Sequence, residues 1–453
     1  MASTSLQRTF GSEGNRKKWT WSAWIKRSAT GSATASNGYT LWNCEGNNAN
    51  DNFIFQITIN GGGSGGTTDS LALHTYGNDV FRTTRKLADT NGWYHIVFAL
   101  DTTQATATDR IKLYVNGDQL TYSQETNFPT QNYNMGINRA ALHCIGSHGS
   151  NANYYFDGLM SHIHFCDGYQ YAASDFGETN SVTGEWTIKT SPSVSYGTNG
   201  FFILKDGNSG TDQSPNSNDF TAAAGSLTKS EDCPNNIFCT FNPLYKSLPT
   251  GGLFNGNTTA KTGNGDSTWR SAFGTLAANS GKYYMEVKWS AGSHFAIGFA
   301  STKVLQMKDV KDLTDNSYSG GGYYYAQYGT NFYSQGSAAS GYTSYSAGDI
   351  LGLALDLDNN KMYVSINGTF QGSDNPATNT GGVSIGGDLD SFWTFGISVY
   401  SNSGVGTYDA NFGNGYFGTT AVSSAGTNAS NNGIFEYNVP SGFTALSTKG
   451  LNL

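Results

Sequence analysis

The residues best suited to chemistry on a ligand lie between Asp315 and Asp349, DNSYSGGGYYYAQYGTNFYSQGSAASGYTSYSAGD, where Tyr, Gly and Ser dominate. Tyrosine offers a rigid amphipathic contact surface, and Gly and Ser let a loop present it in many shapes. Aromatic faces suit the apolar side of a ligand, while amides and carboxylates suit its hydroxyls. Tyr318, Tyr323, Tyr328, Tyr342 and Tyr345 are therefore the foremost candidate contact residues, with Asn151, Asn153 and Tyr154 as a smaller set in the first half of the chain. A second reading stands beside this one. Tyr323 to Ala326 and Asn331 to Ser334 alternate as half-buried strands do, so half their tyrosines would face a core. Ser337 to Ser346 reads as a loop.

Other patterns carry less. His162 and His164 share a strand face and His143 and His148 lie near them in sequence, yet no Cys or carboxylate stands around them at a ligand spacing that would define a metal site. Gly62-Gly63-Ser64-Gly65-Gly66 and Gly382-Val383-Ser384-Ile385-Gly386 match G-x-S-x-G. That motif positions a nucleophile only on a strand-to-helix turn, and neither match is flanked that way. No catalytic residue is assigned.

Composition narrows the field. The chain has 453 residues, enough for two or three domains, with 13% charged residues and 58 glycines. Aromatics reach 14% and, led by Tyr and Phe, favour a pleated sheet over helices. An almost all-β protein is expected. A formal net charge of −8, with no basic run beyond Arg16-Lys17-Lys18, leaves no footprint for nucleic acid. No apolar window approaches the ~20 residues of a membrane span, and MASTSLQRTF lacks the apolar core of a signal peptide. Cys44, Cys144, Cys166, Cys233 and Cys239 are an odd number on a large chain, expected as free thiols, although Cys233 and Cys239 are close enough to bridge in an oxidising compartment.

The elements that must position these residues centre on Trp93 to Leu120, WYHIVFALDTTQATATDRIKLYVNGDQL. Two apolar runs, Tyr94 to Leu100 and Ile111 to Val115, read as a β-hairpin, and Asn116-Gly117 marks a further tight turn. Ile350 to Phe370, ILGLALDLDNNKMYVSINGTF, repeats the device and ends on Asn367-Gly368. Further strands are expected at Ser5 to Phe10, at Trp19 to Lys26 with Trp19, Trp21, Ala23 and Ile25 on one face and Trp24 on the other, and along Tyr154 to Asp167. Tyr283 to Trp289, Phe295 to Phe299, Phe392 to Val399 and Ile434 to Leu446 follow in the second half. Three of the eight prolines fall between Thr228 and Pro249, which places a domain boundary near 230 to 240.

These residues carry a resemblance. WYHIVFALDTT and DRIKLYVNG, preceded by WTWSAWIKRS and followed by IGS and FDGLMSHIHF, resemble the laminin-G-like branch of the concanavalin-A-like lectin and glucanase fold. SGKYYMEVKW, FAIGFA and GDILGLALDLDNNKMYVSINGTF resemble a SPRY domain, which shares the two-sheet architecture. The resemblance implies two concanavalin-A-like jelly-roll sandwiches in tandem, over 1–235 and 236–453. The pairing, with the linking phrase EDCPNNIFCTFNPL and the closing phrase FEYNVPSGFTALSTKGLNL, resembles structural proteins of marine bacteriophages. That likeness implies a non-enzymatic virion surface component, a tail fibre or capsid appendage, assembled in the host cytoplasm. Its partners would be a host cell-surface glycan, other virion proteins and further copies of itself. A purely structural decoration or fibre protein is the alternative. A glycoside hydrolase is the third reading, but the fold's hydrolases carry E-x-D-x-x-E on one strand, and none of the eight glutamates here has Asp two positions later. Laminin-G-like domains sometimes bind Ca²⁺ at their rim, for which Asp101, Asp109 and Asp157 would be ligands. No other cofactor is expected.

Overall fold

The computed structural model describes residues 4–452 apart from 31–37, 45–52, 59–67, 76–77, 123–126, 150–153, 206–208, 245–250, 266, 303–312, 314–323, 335–336 and 386–390. The chain divides into two compact units, Met1–Lys229 and Ser230–Leu453. Both are built mainly from antiparallel sheets, with short 3₁₀ turns such as Ala107–Asp109 and Pro376–Thr378 between strands. The all-β class and the tandem sandwiches are as the sequence leads one to expect.

In the first unit, one sheet of described strands runs in the order Thr221–Ala224, Ser5–Thr9, Leu142–Ile145, Tyr39–Cys44, Phe53–Ile57, Ser70–Thr75, Asn78–Lys86. The facing sheet runs Phe201–Ile203, Gly158–Asp167, Lys18–Arg27, Trp93–Asp101, Ile111–Val115, Asp118–Gln119. Alternation along Lys18–Arg27 turns Trp19, Trp21, Ala23 and Ile25 into the core, where Trp19 meets Trp42, Phe53 and Phe98 edge to face. The second unit repeats the plan. One sheet is centred on Lys282–Ala291, Ile350–Asp356 and Lys361–Ile366. The other runs Arg270–Phe273, Trp393–Tyr400, His294–Ser301, Tyr324–Tyr328, Asn331–Ser334, Ser337–Ser340.

The repeated hairpin is a shared construction detail. Asn116 and Gly117 have φ of 52° and 85°, and Asn367 and Gly368 have 48° and 80°, the paired left-handed values of a type I′ turn. In each corner the Asn side chain accepts a backbone N–H near the start of the neighbouring strand: His95 to Asn116 at 2.8 Å, Ile350 to Asn367 at 2.9 Å. Each glycine also lies beneath an aromatic ring. A Cβ on Gly117 would stand 2.6 Å from ring carbons of Trp186, and one on Gly368 would stand 2.5 Å from Tyr437. Gly117→Ala and Gly368→Ala are each expected to lower unfolding free energy by about 1 to 3 kcal/mol, from left-handed backbone strain plus overpacking. Urea unfolding of the two variants checks this; loss in one alone would show that the corners are not equivalent.

Those rings belong to a third layer. In the first unit, residues 168–196 cross the outer face of the hairpin sheet, packing Ala173, Phe176, Trp186 and Tyr196 against Val97, Tyr114 and Cys166. In the second, residues 435–445 do the same, with Phe435, Val439 and Phe443 over Tyr284, Ala354 and Tyr363. The linking phrase joins this cover. Cys239 N–H donates to Leu446 O (2.9 Å), Ile237 N–H to Thr448 Oγ1 (3.0 Å), and Thr448 N–H to Ile237 O (2.9 Å).

Three strand expectations need correction. Ile434 to Leu446 is not one strand: it is an irregular strap in which Thr444–Ala445 pairs in parallel with Lys282–Ala291 and Ile434 makes a single bridge to Asn414. Its Pro440 and its three aromatics follow the shape of the sheet beneath rather than a period of two. Ser337–Ser340, read as loop, is an edge strand, because pairing with Asn331–Ser334 does not require the β-branched residues it lacks. Tyr154 lies before its strand, which spans Gly158–Asp167. All five cysteines are free thiols.

Candidate functional site

In the second unit the strand pairings fix which residues share the outer face of the six-strand sheet. Phe295, Ile297, Phe299, Ile397 and Val399 face the core. Their neighbours therefore point away from it, and the pairs His294 with Tyr400 and Ala296 with Ser398 lie on the outer side. Ser271 joins this face through Ser398, with hydroxyl oxygens 2.7 Å apart. The register of Ile297 with Gln327 brings Tyr328 to the same side, beside Ala296.

Four rings gather there. Trp269, immediately before Arg270–Phe273, lies 5.4 Å from Tyr400 and 6.5 Å from His294, with planes inclined by 37° and 27°. His294 and Tyr400 are 5.7 Å apart at 34°. Tyr328 stands nearly perpendicular to Trp269 and His294, at 80° and 82°, with centroids 5.1 and 5.6 Å away. All four residues are half-buried. Three inclined faces and one upright wall make a shallow aromatic corner.

The corner is held from below. The hydroxyl of the buried Tyr408 bridges the carbonyls of His294 and Tyr400, 2.8 Å from each. At the rim, Ser293 Oγ donates to Asn402 Oδ1 and accepts the Asn402 N–H (3.1 Å). This fixes the exposed Asn402 and leaves its Nδ2 amide without a hydrogen bond among the described residues. Ser401 Oγ donates to Ser403 O at 2.8 Å, closing the loop that carries it. Neighbouring ring faces and a free amide donor are the two kinds of group a sugar ring requires.

The sequence candidates fall differently. Tyr328 is in the corner. Tyr345 is corrected: it is 7% exposed, packs among Trp289 and Phe295, and donates to Phe295 O at 2.6 Å, so its ring belongs to the core. Tyr342 is half-buried against the same core, and burial pushes its hydroxyl up to about 12. Tyr154 is half-buried, 5.9 Å from the His148 ring, with its carbonyl accepting Thr40 N–H. Tyr318, Tyr323, Asn151 and Asn153 lie outside the described residues. Sequence reading missed Trp269, His294 and Tyr400. The available signal was a tryptophan isolated in a polar stretch, GNGDSTWR, outside any alternation.

The acidic and histidine candidates do not converge. Asp101 accepts from Thr103 N–H and Gln104 Nε2 and pairs with Lys18 at 3.3 Å. Asp109 sits on a 3₁₀ turn, 3.9 Å from Lys112. Asp157 is pushed up by burial and lies in the field of Arg27. Among the described residues no group of three His, Cys, Asp or Glu side chains is placed to hold a metal ion. Of the G-x-S-x-G strings, 62–66 lies outside the described residues, and Val383–Ser384 pairs as a strand with Lys361–Ile366. Glu286 is sealed under the strap, where Glu436 N–H, Tyr437 N–H, Asn411 Nδ2 and the Tyr284 hydroxyl all donate to it.

Residues 5–174 match the family described as Concanavalin A-like lectin/glucanases superfamily, Laminin_G_3. The matched residues all lie within the first unit. No curated protein matches the chain. Solved structures similar to it include the SPRY domain of human HERC1, at 14% identity and TM-score 0.28 over 38% of this chain and 96% of that one. The TRIM65 PSpry domain matches at 17% identity and TM-score 0.27, over 38% and 91%. A candidate carbohydrate-binding protein from Bacteroides ovatus matches at 17% and 0.30, over 50% and 60%. The fold assignment rests on the strand order and on the family match to the first unit.

Proposed function

We propose that this protein is a non-enzymatic carbohydrate-binding protein whose second unit seats a pyranose on Trp269, Tyr328 and Tyr400. Asn402 takes a ring hydroxyl at the rim, and His294 completes the floor. The observation that carries this reading is the aromatic corner itself, four rings on one sheet face held by Tyr408. The lectin and glucanase match of residues 5–174 supports the ligand class. The sealed position of Glu286 supports the absence of hydrolysis. Trp269→Ala is expected to weaken glycan binding about 10- to 100-fold, the scale of a buried aromatic contact, with unchanged melting temperature. A glycan array followed by calorimetry measures it; wild-type binding undiminished in the variant would move the site elsewhere.

The resemblance of the linking and closing phrases supports a virion setting for this activity. In that setting the protein is a surface component assembled in the host cytoplasm, alongside other virion proteins and further copies of itself. Mass spectrometry and immunogold labelling of purified particles test it, and absence from every particle fraction would refute it.

A further inference from the structure

The first unit carries an aromatic pair at the margin of its strap, one ring of which, Tyr171, packs with the Ala173 and Phe176 cluster. Tyr169 and Tyr171 project side by side from the turn after Gly158–Asp167, with rings 5.7 Å apart and planes 17° from parallel. Tyr169 is 42% exposed, among the most exposed large apolar side chains described. Surface rings normally sample many rotamers, but here Tyr171 is half-buried and the backbone of both residues is clamped. The fully buried Thr20 uses one hydroxyl for both residues, donating to Tyr169 O and accepting Tyr171 N–H, each at 2.8 Å. Tyr171 is fixed further by Ser195 N–H on its hydroxyl (2.9 Å) and by Phe176 against its edge. Between them Gln170 Nε2 donates to Asp109 O (3.5 Å), which orients its amide.

We infer that Tyr169, Gln170 and Tyr171 form a second sugar-binding ledge, so that one chain holds two sites and its ligand is a repeating polysaccharide rather than a single terminal sugar. This rests on the carbohydrate reading of the second unit. The chemistry is the same in kind: a flat aromatic surface for the C–H face of a pyranose and an oriented amide for its hydroxyls. Preorganisation is what separates the ledge from ordinary surface tyrosines, since rings already aligned lose little entropy on binding. Two weak sites on one chain gain avidity on a polymer, by about 10² to 10⁴-fold where both engage, and gain nothing on a short fragment.

The test uses the full chain, in native gels cast with dextran, alginate, laminarin or lipopolysaccharide, followed by calorimetry with short oligosaccharides of the polymer that retards it. Two equivalents of oligosaccharide are expected per wild-type chain. Tyr169→Ala and Trp269→Ala should each leave one equivalent and at least a tenfold weaker retardation. The double variant should lose both, and Tyr169→Phe should retain two. One equivalent in the wild type, abolished by Trp269→Ala and untouched by Tyr169→Ala, would overturn the ledge and leave the proposed function standing. A wild-type chain that no polymer retards would overturn both.

Discussion

Glu286→Ala is expected to cost the second unit about 3 to 5 kcal/mol of unfolding free energy. The carboxylate is fully buried on the outer face of Lys282–Ala291 and accepts four hydrogen bonds: Glu436 N–H and Tyr437 N–H at 2.9 Å, Tyr284 hydroxyl at 3.2 Å, Asn411 Nδ2 at 3.3 Å. Removing it orphans all four donors, two of them backbone groups of the strap, at about 1 to 3 kcal/mol per unsatisfied buried group before relaxation. Glu286→Gln keeps one accepting oxygen but turns an amide N–H₂ toward a donor, and should cost about 1 to 3 kcal/mol. Equilibrium urea unfolding with hydrogen exchange at residues 436–437 reads both effects. A loss below about 1 kcal/mol for the alanine variant would mean that the strap is held by its aromatics alone.

Acid is expected to open the first unit while sparing the second. His95 lies between Trp24 and Trp186, with ring planes 19° from each. Trp186 Nε1–H donates to its Nδ1 at 3.0 Å, and an indole nitrogen can only donate. Nδ1 must therefore be bare, and the proton sits on Nε2, facing Ser22 Oγ at 2.9 Å. His143 is locked in the opposite tautomer, accepting Asn138 N–H on Nε2 (3.0 Å) and donating from Nδ1 to Ala141 O (2.9 Å). Burial lowers both imidazoles to about 3 and holds His164, stacked on Phe202, well below its ordinary value too. A lowered folded-state value means that only the unfolded chain takes the proton below about pH 6.5. Stability is thus whole above that pH and falls on acidification toward pH 3, by about 1.4 kcal/mol per pH unit for each histidine.

Glu286 has the opposite sign. Burial pushes it up to about 7 against the pull of its four donors, so its contribution is present below the ordinary carboxyl range and is lost as pH rises through 7. Calorimetry between pH 7.5 and 5 should show one transition moving to lower temperature and the other holding or rising. His95→Gln, which keeps an acceptor for Trp186 without a titrating group, should reduce the acid slope of the first transition by about 1.4 kcal/mol per pH unit. Parallel movement of the two transitions would count against this assignment of the buried groups.

The two-sheet plan was legible because its strands are local patterns. The period of two assigns Trp19, Trp21, Ala23 and Ile25 to the core and Trp24 to the outside, and Asn116-Gly117 and Asn367-Gly368 announce their turns. The straps were not legible. Phe176, Trp186 and Tyr196, or Phe435, Val439 and Phe443, are spaced by the contours of the sheet they cover, so no period in the chain reveals them. The site failed differently. Tyrosine density drew attention to Asp315–Asp349, where Tyr345 turned out to serve the core, while Trp269 and Tyr400 meet only because Arg270–Phe273 pairs with Trp393–Tyr400, Arg270 opposite Val399 and Phe273 opposite Gly396, far apart in sequence.

The pairing of the linking and closing phrases also sets an order of events on the ribosome. The first unit is sealed when Thr221–Ala224 reaches Ser5–Thr9, so every strand it needs has been synthesised before the second unit begins. The second unit waits much longer. The backbone N–H groups of Ile237 and Cys239, made early, are taken up by Thr448 and Leu446, and Glu286 keeps a bare anion on an uncovered sheet until residues 436–437 arrive. Such distant closure predicts slow, late folding of the second half. A nascent chain arrested before residue 435 should present a finished first unit beside an open second one, with apolar surface available to chaperones.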